Sequence, residues 1–180
     1  MLTPQDILHF WFQELTPEMH FSKSSELDQT IRNRFLEIHT QILEGRAKEW
    51  RKTPEGRLAE IIVLDQFSRN MFRDTALAFA YDALGLEAAK AAVTAGEDQK
   101  LPIEQRKFLY MPFMHSESRE DHLQAVKLFS QKGLEFNLKY ELKHKEIIDR
   151  FGRYPHRNEA LKRTSTKEEL EFLKNADSSF

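Results

Sequence analysis

Helix-start signals recur along this sequence, and they limit its fold more than any other feature. Thr3-Pro4 and Thr53-Pro54 each place a capping residue before a proline at the first helical position. Thr166, with Glu169 three residues later, is a capping-box pattern. Between such signals, apolar residues recur at spacings of three and four, which is the helical period. The sequence therefore predicts a chain built from helices.

The expected helices can be placed from these start signals and from glycine or proline stops. The first begins at Thr3-Pro4, and the second covers 25–44 with a stop at Gly45. The next run from Thr53-Pro54 to about Phe72, from Asp74 to near Gly96, and from Pro102 to Pro112, which should end or kink the helix. The last run from Ser118 to about Asn137, up to Phe151 with a stop at Gly152, and from Thr166 to Leu173. No segment alternates convincingly like a strand, and six glycines and six prolines are few for a turn-dense β fold. We predict an all-α fold of about eight helices in antiparallel pairs, with one domain over 1–174 and a frayed tail over 175–180.

Composition excludes several kinds of chemistry. The chain has no cysteine, so disulfides, thiolate metal sites and cysteine nucleophiles are excluded. A net charge of −2 gives no general electrostatic reason to bind nucleic acid. The first residues lack a basic signal-peptide region, and no apolar run is long enough for a membrane span. We therefore expect a cytoplasmic protein that binds neither nucleic acid nor membrane.

Polar residues interrupt the apolar face of the third expected helix. Asp65 and Arg69 fall within the same arc of roughly 80° as its apolar residues, since each residue turns a helix by about 100°. Their spacing of four, with the acid first, favours an ion pair. A pair removed from water is costly, so either a structural network or a ligand must account for it. Asn70 is the next residue after Arg69 in the sequence.

Two loops and one helix carry further candidates. His144 lies near the middle of an apolar helix face, where a histidine bonded to a carbonyl is the simpler interpretation. Segment 108–117 ends in His115, Ser116 and Glu117. Segment 150–163 contains five basic residues and one acidic residue, and its arginines offer forked donors for a phosphate or a carboxylate. A solvated basic connection is the simpler alternative.

Three segments also resemble a known family. Residues 64–73, 108–117 and 151–158 are similar to signature segments of the bacterial domain-of-unknown-function family 924, and 7–12 and 164–173 resemble it too. The resemblance implies an all-α, tetratricopeptide-like fold and no established activity. Ser68 stands where the family usually has proline, and Lys162 where it usually has glycine.

These observations support two functional hypotheses. In the first, the three segments converge on a pocket for a small anionic metabolite. Its expected ligand-binding residues are Asp65, Arg69, Asn70, Glu117, Arg153, Arg157 and Asn158, and its candidate catalytic acid–base residues are His115, His144 and His156. The second hypothesis is a protein- or peptide-interaction module. A metal site from His115, Glu117, His144 and His156 lacks a recognised ligand spacing on any helix, so we predict no metal or cofactor. Whether any reaction is catalysed stays open.

Overall fold

The computed structural model describes residues 2–175 and Ser178, and these residues form helices, turns and loops without a strand. The α-helices are α1 (Pro4–His9), α2 (Ser25–Leu43), α3 (Pro54–Ile62), α4 (Ser68–Met71), α5 (Asp82–Thr94), α6 (Ile103–His115), α7 (Arg119–Phe129), α8 (Glu135–Phe151) and α9 (Lys167–Phe172). The predicted all-α class is therefore confirmed. The antiparallel pairing and the tetratricopeptide-like stacking stay predictions.

The capping signals act as the sequence predicts. The Thr3 hydroxyl accepts a hydrogen bond from the Asp6 N–H at the start of α1. Thr53 caps α3 in the same way, and Thr166 forms a reciprocal capping box with Glu169. These bonds satisfy amide groups that have no partner inside a helix.

Two α-helices continue directly into short π-helical segments. Phe10–Glu14 continues α1 as a π-helix, and Val63–Phe67 joins α3 to α4 in the same form. The Ser68 hydroxyl bonds the Val63 carbonyl five residues back, at 3.4 Å. π-Helical segments are rare in proteins, and many of those that occur lie at functional sites.

The described chain divides into two compact units. Unit 1 comprises residues 2–73 and 77–112, and unit 2 comprises residues 74–76, 113–175 and 178. A single domain over 1–174 stays a prediction. Of the predicted tail, 176, 177, 179 and 180 lie outside the described residues.

Each unit has its own apolar centre. In unit 1 the rings of Phe10, Phe35 and Phe67 pack with centroids 4.8–5.8 Å apart, and Trp11 lies against Phe67 and Phe108. In unit 2, the buried side chains Ile147, Ile148 and Tyr154 pack with Phe151 and Phe172. Aromatic rings therefore supply much of the apolar surface at the centre of each unit.

Two predicted helix boundaries are wrong. Asp74 has φ +61° and cannot adopt the extended backbone of an N-cap, so α5 begins only at Asp82. The helix expected from Ser118 to Asn137 ends at Phe129, because Gly133 turns the chain at φ +95° before α8. Of the two outcomes expected at Pro112, an end does not occur, since α6 continues to His115 although proline cannot donate a backbone hydrogen bond; a kink stays a prediction.

No described helix combines the length and apolar character that crossing a membrane requires.

Candidate functional site

The interrupted helix face of unit 1 carries a network of charged side chains. Arg69 donates from Nη1 to both the carbonyl and Oδ1 of Asp65, at 2.9 and 3.1 Å. Its two terminal nitrogens also hold both carboxylate oxygens of Asp82, at 2.8 and 3.0 Å. The remaining Asp65 oxygen accepts from the Gln66 amide at 2.6 Å. The predicted Asp65–Arg69 ion pair is confirmed.

Asn70 belongs to a second tie in unit 1. Its amide donates to Asp28 Oδ1 at 2.8 Å, and Arg73 holds both oxygens of the same carboxylate at 2.6 and 2.7 Å. Asp28 lies in the first turn of α2, where the helix dipole also favours a negative charge. This cluster links the start of α2 to the end of α4.

All other candidates lie in unit 2, where imidazole rings surround one buried phenol. We call this group the Tyr154 cluster; it consists of His115, His122, His144, Tyr154, His156 and Arg157. Ring centroids of three histidines lie 5.4–6.3 Å from that of Tyr154. His115 contacts His144 at 6.4 Å. The guanidinium carbon of Arg157 lies 4.7 Å from the Tyr154 ring centroid.

Local backbone signals position Tyr154. Helix α8 ends at Gly152, whose φ of +71° suits glycine and whose N–H bonds the Ile148 carbonyl at 2.8 Å. Pro155 then begins a single 3₁₀ turn. Tyr154 lies between these residues, and its hydroxyl donates to the Met114 carbonyl at 2.5 Å. The phenol is thereby anchored at both ends.

His144 is held as a neutral ring. Its Nδ1–H donates to the Tyr140 carbonyl one turn earlier on α8, at 2.7 Å. Burial lowers the pKa of His144 to about 3, and the neighbouring His115, His122 and His156 lower it further, against the raising effect of the Tyr140 bond. In the neutral ring the proton resides on Nδ1, so Nε2 has the character of an acceptor. His144 is a weak base at neutral pH.

Arg157 is the buried cation of the cluster. Only 6% of its surface is exposed, and its Nη2 donates to the His115 carbonyl at 2.8 Å. Its planar group also lies against the Tyr154 ring, an arrangement that guanidinium favours. A buried cation is therefore fixed between the end of α6 and the turn after α8.

Glu117 is paired with an arginine that the sequence prediction omitted. Its two oxygens accept from Arg163 at 2.8 and 3.0 Å, and Oε1 accepts the Tyr154 N–H at 2.7 Å. Burial alone raises the pKa of Glu117. The bonds from Arg163 and Tyr154, with the charges of Arg157 and Arg163, outweigh burial and leave that pKa below its usual value. Glu117 is thus a carboxylate at neutral pH.

Arg153 and Asn158 hold the last helix. Arg153 donates to both oxygens of Glu169, at 2.7 and 2.8 Å, and Asn158 adds a bond of 3.3 Å. Hydrogen bonds from Arg153 act most strongly on Glu169 and lower its pKa to about 2, against the opposing effect of burial. Arg153 and Asn158 thus bond a residue of α9, and their predicted role in ligand binding stays a prediction.

Sequence reasoning missed His122, Glu141 and Arg163. His122 shares the spacing of Ala125 and Phe129 on α7, so it carried the same signal as Asp65, a polar residue on an apolar face. Its ring is fully buried and bonds Glu141 at 2.7 Å. The partnership spans 19 residues, and local spacing does not predict it.

The candidate metal ligands do not assemble. Within residues 2–175 and Ser178, no group of three histidine or acidic side chains has an arrangement that suits a metal ion. The sequence residues proposed for one anionic site also divide between the units. Asp65, Arg69 and Asn70 belong to unit 1, whereas the histidines, Glu117, Arg153, Arg157 and Asn158 belong to unit 2.

The fold and these buried polar networks define an all-α protein whose two helical units each enclose charged side chains. A family model described as bacterial protein of unknown function (DUF924) matches residues 7–177, and the chain belongs to this family. A solved structure of a protein of unknown function from Agrobacterium tumefaciens is similar, with a TM-score of 0.90 and 35% identity over 95% of this chain and 96% of that chain. A search of curated proteins finds no match.

Proposed function

We propose that the Tyr154 cluster binds a small anionic metabolite through a phosphate or carboxylate group. The observation that supports this is a buried guanidinium and a half-buried imidazole beside one aromatic ring: Arg157 lies 4.7 Å and His156 5.4 Å from the Tyr154 ring centroid. Guanidinium and imidazole N–H groups donate hydrogen bonds to the oxygens of an anion.

The surrounding charges favour an anion. Arg153 neutralises Glu169, and Arg163 neutralises Glu117. Arg157 adds a third, buried guanidinium to the same unit. A buried positive charge attracts an anion more strongly than an exposed one, because water and salt screen it less.

Proton transfer at such a site would fall to the half-buried His115 and His156. His144 has a pKa of about 3 and stays neutral, so its contribution is that of a hydrogen-bond acceptor. The network of Asp65 and Arg69 takes no part in the proposal, because those groups are directed at one another and at Asp82.

Titration with inorganic phosphate and citrate tests this function. At a ligand concentration of 100 times Kd, binding stabilises a protein by about 2.7 kcal/mol, which for this chain length is about 5–10 °C in Tm. We expect that shift in the wild-type protein and not in Arg157→Gln. Arg150→Gln is the matched control, since it removes an exposed arginine of the same unit that pairs with Glu168.

A second variant protects the test against misfolding of Arg157→Gln. His156→Asn removes a half-buried imidazole and is expected to weaken binding measured by calorimetry. Equal shifts in the wild-type, Arg157→Gln and His156→Asn proteins, or no shift in any of them with either anion, would refute the proposal.

The interaction-module hypothesis stays a prediction. The observation in its favour is an exposed aromatic pair on α8, Phe136 and Tyr140, with centroids 4.9 Å apart. Exposed apolar side chains occur on most monomeric proteins, so this pair ranks below the charge pattern of the Tyr154 cluster. A stoichiometric partner lost in Phe136→Ser would reverse that ranking.

A further inference from the structure

A histidine and a glutamate form the most buried polar pair of unit 2. His122 on α7 and Glu141 on α8 each have 0% of their surface exposed. His122 Nδ1 lies 2.7 Å from Glu141 Oε1. One hydrogen must lie between these two atoms, bonded either to the imidazole nitrogen or to the carboxyl oxygen.

The other ring nitrogen identifies the tautomer. His122 Nε2 lies 2.8 Å from the Ser116 carbonyl and 3.2 Å from the Tyr154 hydroxyl oxygen. A carbonyl can only accept, and the Tyr154 proton is directed to the Met114 carbonyl at 2.5 Å. Nε2 must therefore carry a hydrogen and donate it.

Two states remain for the Nδ1 contact. Either an imidazolium donates to an ionised Glu141, or a neutral Glu141 carboxylic acid donates to an unprotonated Nδ1. Glu141 Oε2 is buried and has no hydrogen-bond partner among the described residues. An ionised carboxylate would leave that charged oxygen unsatisfied, whereas the carbonyl oxygen of a neutral acid tolerates it better.

The electrostatics favour the neutral state. Burial raises the pKa of Glu141, and this effect outweighs the hydrogen bond and charge of His122 and the charge of Lys145, which act in the opposite direction. Lys145 lies one turn later on α8 and also pairs with Asp149. The neutral pair avoids removing two ions from water together.

We propose that Glu141 is a neutral carboxylic acid whose O–H donates to His122 Nδ1, and that this bond fixes His122 as the Nε2–H tautomer that positions Ser116 and Tyr154. The second part rests on the proposed anion site, because Ser116 precedes Glu117 and Tyr154 is the centre of the cluster. His122 and Glu141 are then positioning residues of that site.

Nitrogen NMR of ¹⁵N-histidine-labelled protein tests the first part directly. We expect His122 to show one protonated nitrogen, Nε2, at neutral pH in the wild type. Glu141→Gln should retain this pattern, because a glutamine amide also donates to Nδ1. Glu146→Gln, an exposed change on the same helix, is the matched control. Two protonated ring nitrogens, or an Nδ1–H tautomer, in the wild type would overturn the proposal.

Phosphate binding tests the second part. We expect Glu141→Gln to keep the wild-type phosphate affinity within about twofold, and Glu141→Leu to lose about tenfold, the scale of one hydrogen bond. Equal affinities in the leucine variant and the wild type would refute the positioning role. If the wild type binds no phosphate, the proposed function fails while the tautomer measurement still decides the state of the pair. The wild-type spectrum requires no variant to fold.

Discussion

Lys162 occupies a backbone position that suits glycine. Its φ is +53°, in the left-handed region, and its N–H donates to the Glu159 carbonyl at 3.1 Å. The next N–H, from Arg163, reaches the Asn158 carbonyl at 2.8 Å. This pair of bonds is a Schellman motif, in which the left-handed residue is usually glycine. The family resemblance, in which glycine is usual here, agrees with this geometry.

Two other turns of the chain show the same motif with the expected residue. Gly45 and Gly96 have φ of +71° and +66°, and each precedes an N–H that bonds the carbonyl five residues back. Lys162 is therefore strained where its counterparts are not. A left-handed residue with a Cβ costs about 1–2 kcal/mol, and glycine gives back about 0.5–1 kcal/mol through greater freedom when unfolded.

We predict that Lys162→Gly stabilises the protein by about 0.5–1 kcal/mol, or about 1–4 °C in Tm for a chain of this length. Urea denaturation with a constant m-value measures the change. Lys162→Ala is the control, because it removes the same exposed charge and keeps the Cβ, and we expect it to match the wild type. Gly96→Ala should destabilise by a similar amount, since its added Cβ would meet nothing within 4 Å and only strain remains. If Lys162→Gly is no more stable than Lys162→Ala, the strain argument is wrong.

Three further predictions concern buried charges. Arg69→Met should cost about 3–5 kcal/mol in urea denaturation, because it removes a cation that pairs with the fully buried Asp65. Arg34→Met, at an exposed pair, should cost about 1 kcal/mol or less, and equal costs would contradict the burial argument. The pKa of Glu169 is about 2 in the folded protein against 4.5 for the ordinary group, so the stability that its carboxylate contributes is present above pH 4.5 and is lost as pH falls toward 2. Glu169→Gln should remove about 2 kcal/mol of this loss of stability in acid. An unchanged dependence of stability on pH in the variant would contradict this role of Glu169. Burial lowers the pKa of His39 to about 4, so the unfolded chain takes up a proton at His39 more readily than the folded protein does. The free energy of unfolding is therefore highest above pH 6.5 and falls as pH decreases toward 4. His39→Gln should reduce this fall by up to about 3 kcal/mol, as measured by denaturation across this range.

Local signals in the sequence predict much of the fold. The caps at Thr3, Thr53 and Thr166 act within three residues of themselves, so reading them requires no tertiary information. The boundaries at Asp74 and Gly133 were missed for a different reason. Either residue is compatible with a helix flank by composition, and only the backbone angles of the folded chain show otherwise.

For the candidate site, the sequence predicts only the contacts between residues that lie close together in the chain. Asp65 and Arg69 lie one turn apart, and their ion pair follows from helical spacing. Glu117 finds Arg163 at a separation of 46 residues, and Arg153 finds Glu169 at 16. Such partners depend on how helices pack, and spacing contains no information about them.

A polar residue on an apolar helix face therefore indicates burial, but the pattern does not distinguish a structural residue from a functional one. Asp65 and His122 carry the same sequence signal, and both are fully buried. Within unit 1, Asp65 is bonded by Arg69 and Gln66. His122 instead bonds Glu141 and lies beside Tyr154, whose ring packs against the buried guanidinium of Arg157. The identity of partners distant in sequence, rather than the interruption of an apolar stripe, therefore decides whether such a residue belongs to a structural tie or to a candidate binding site.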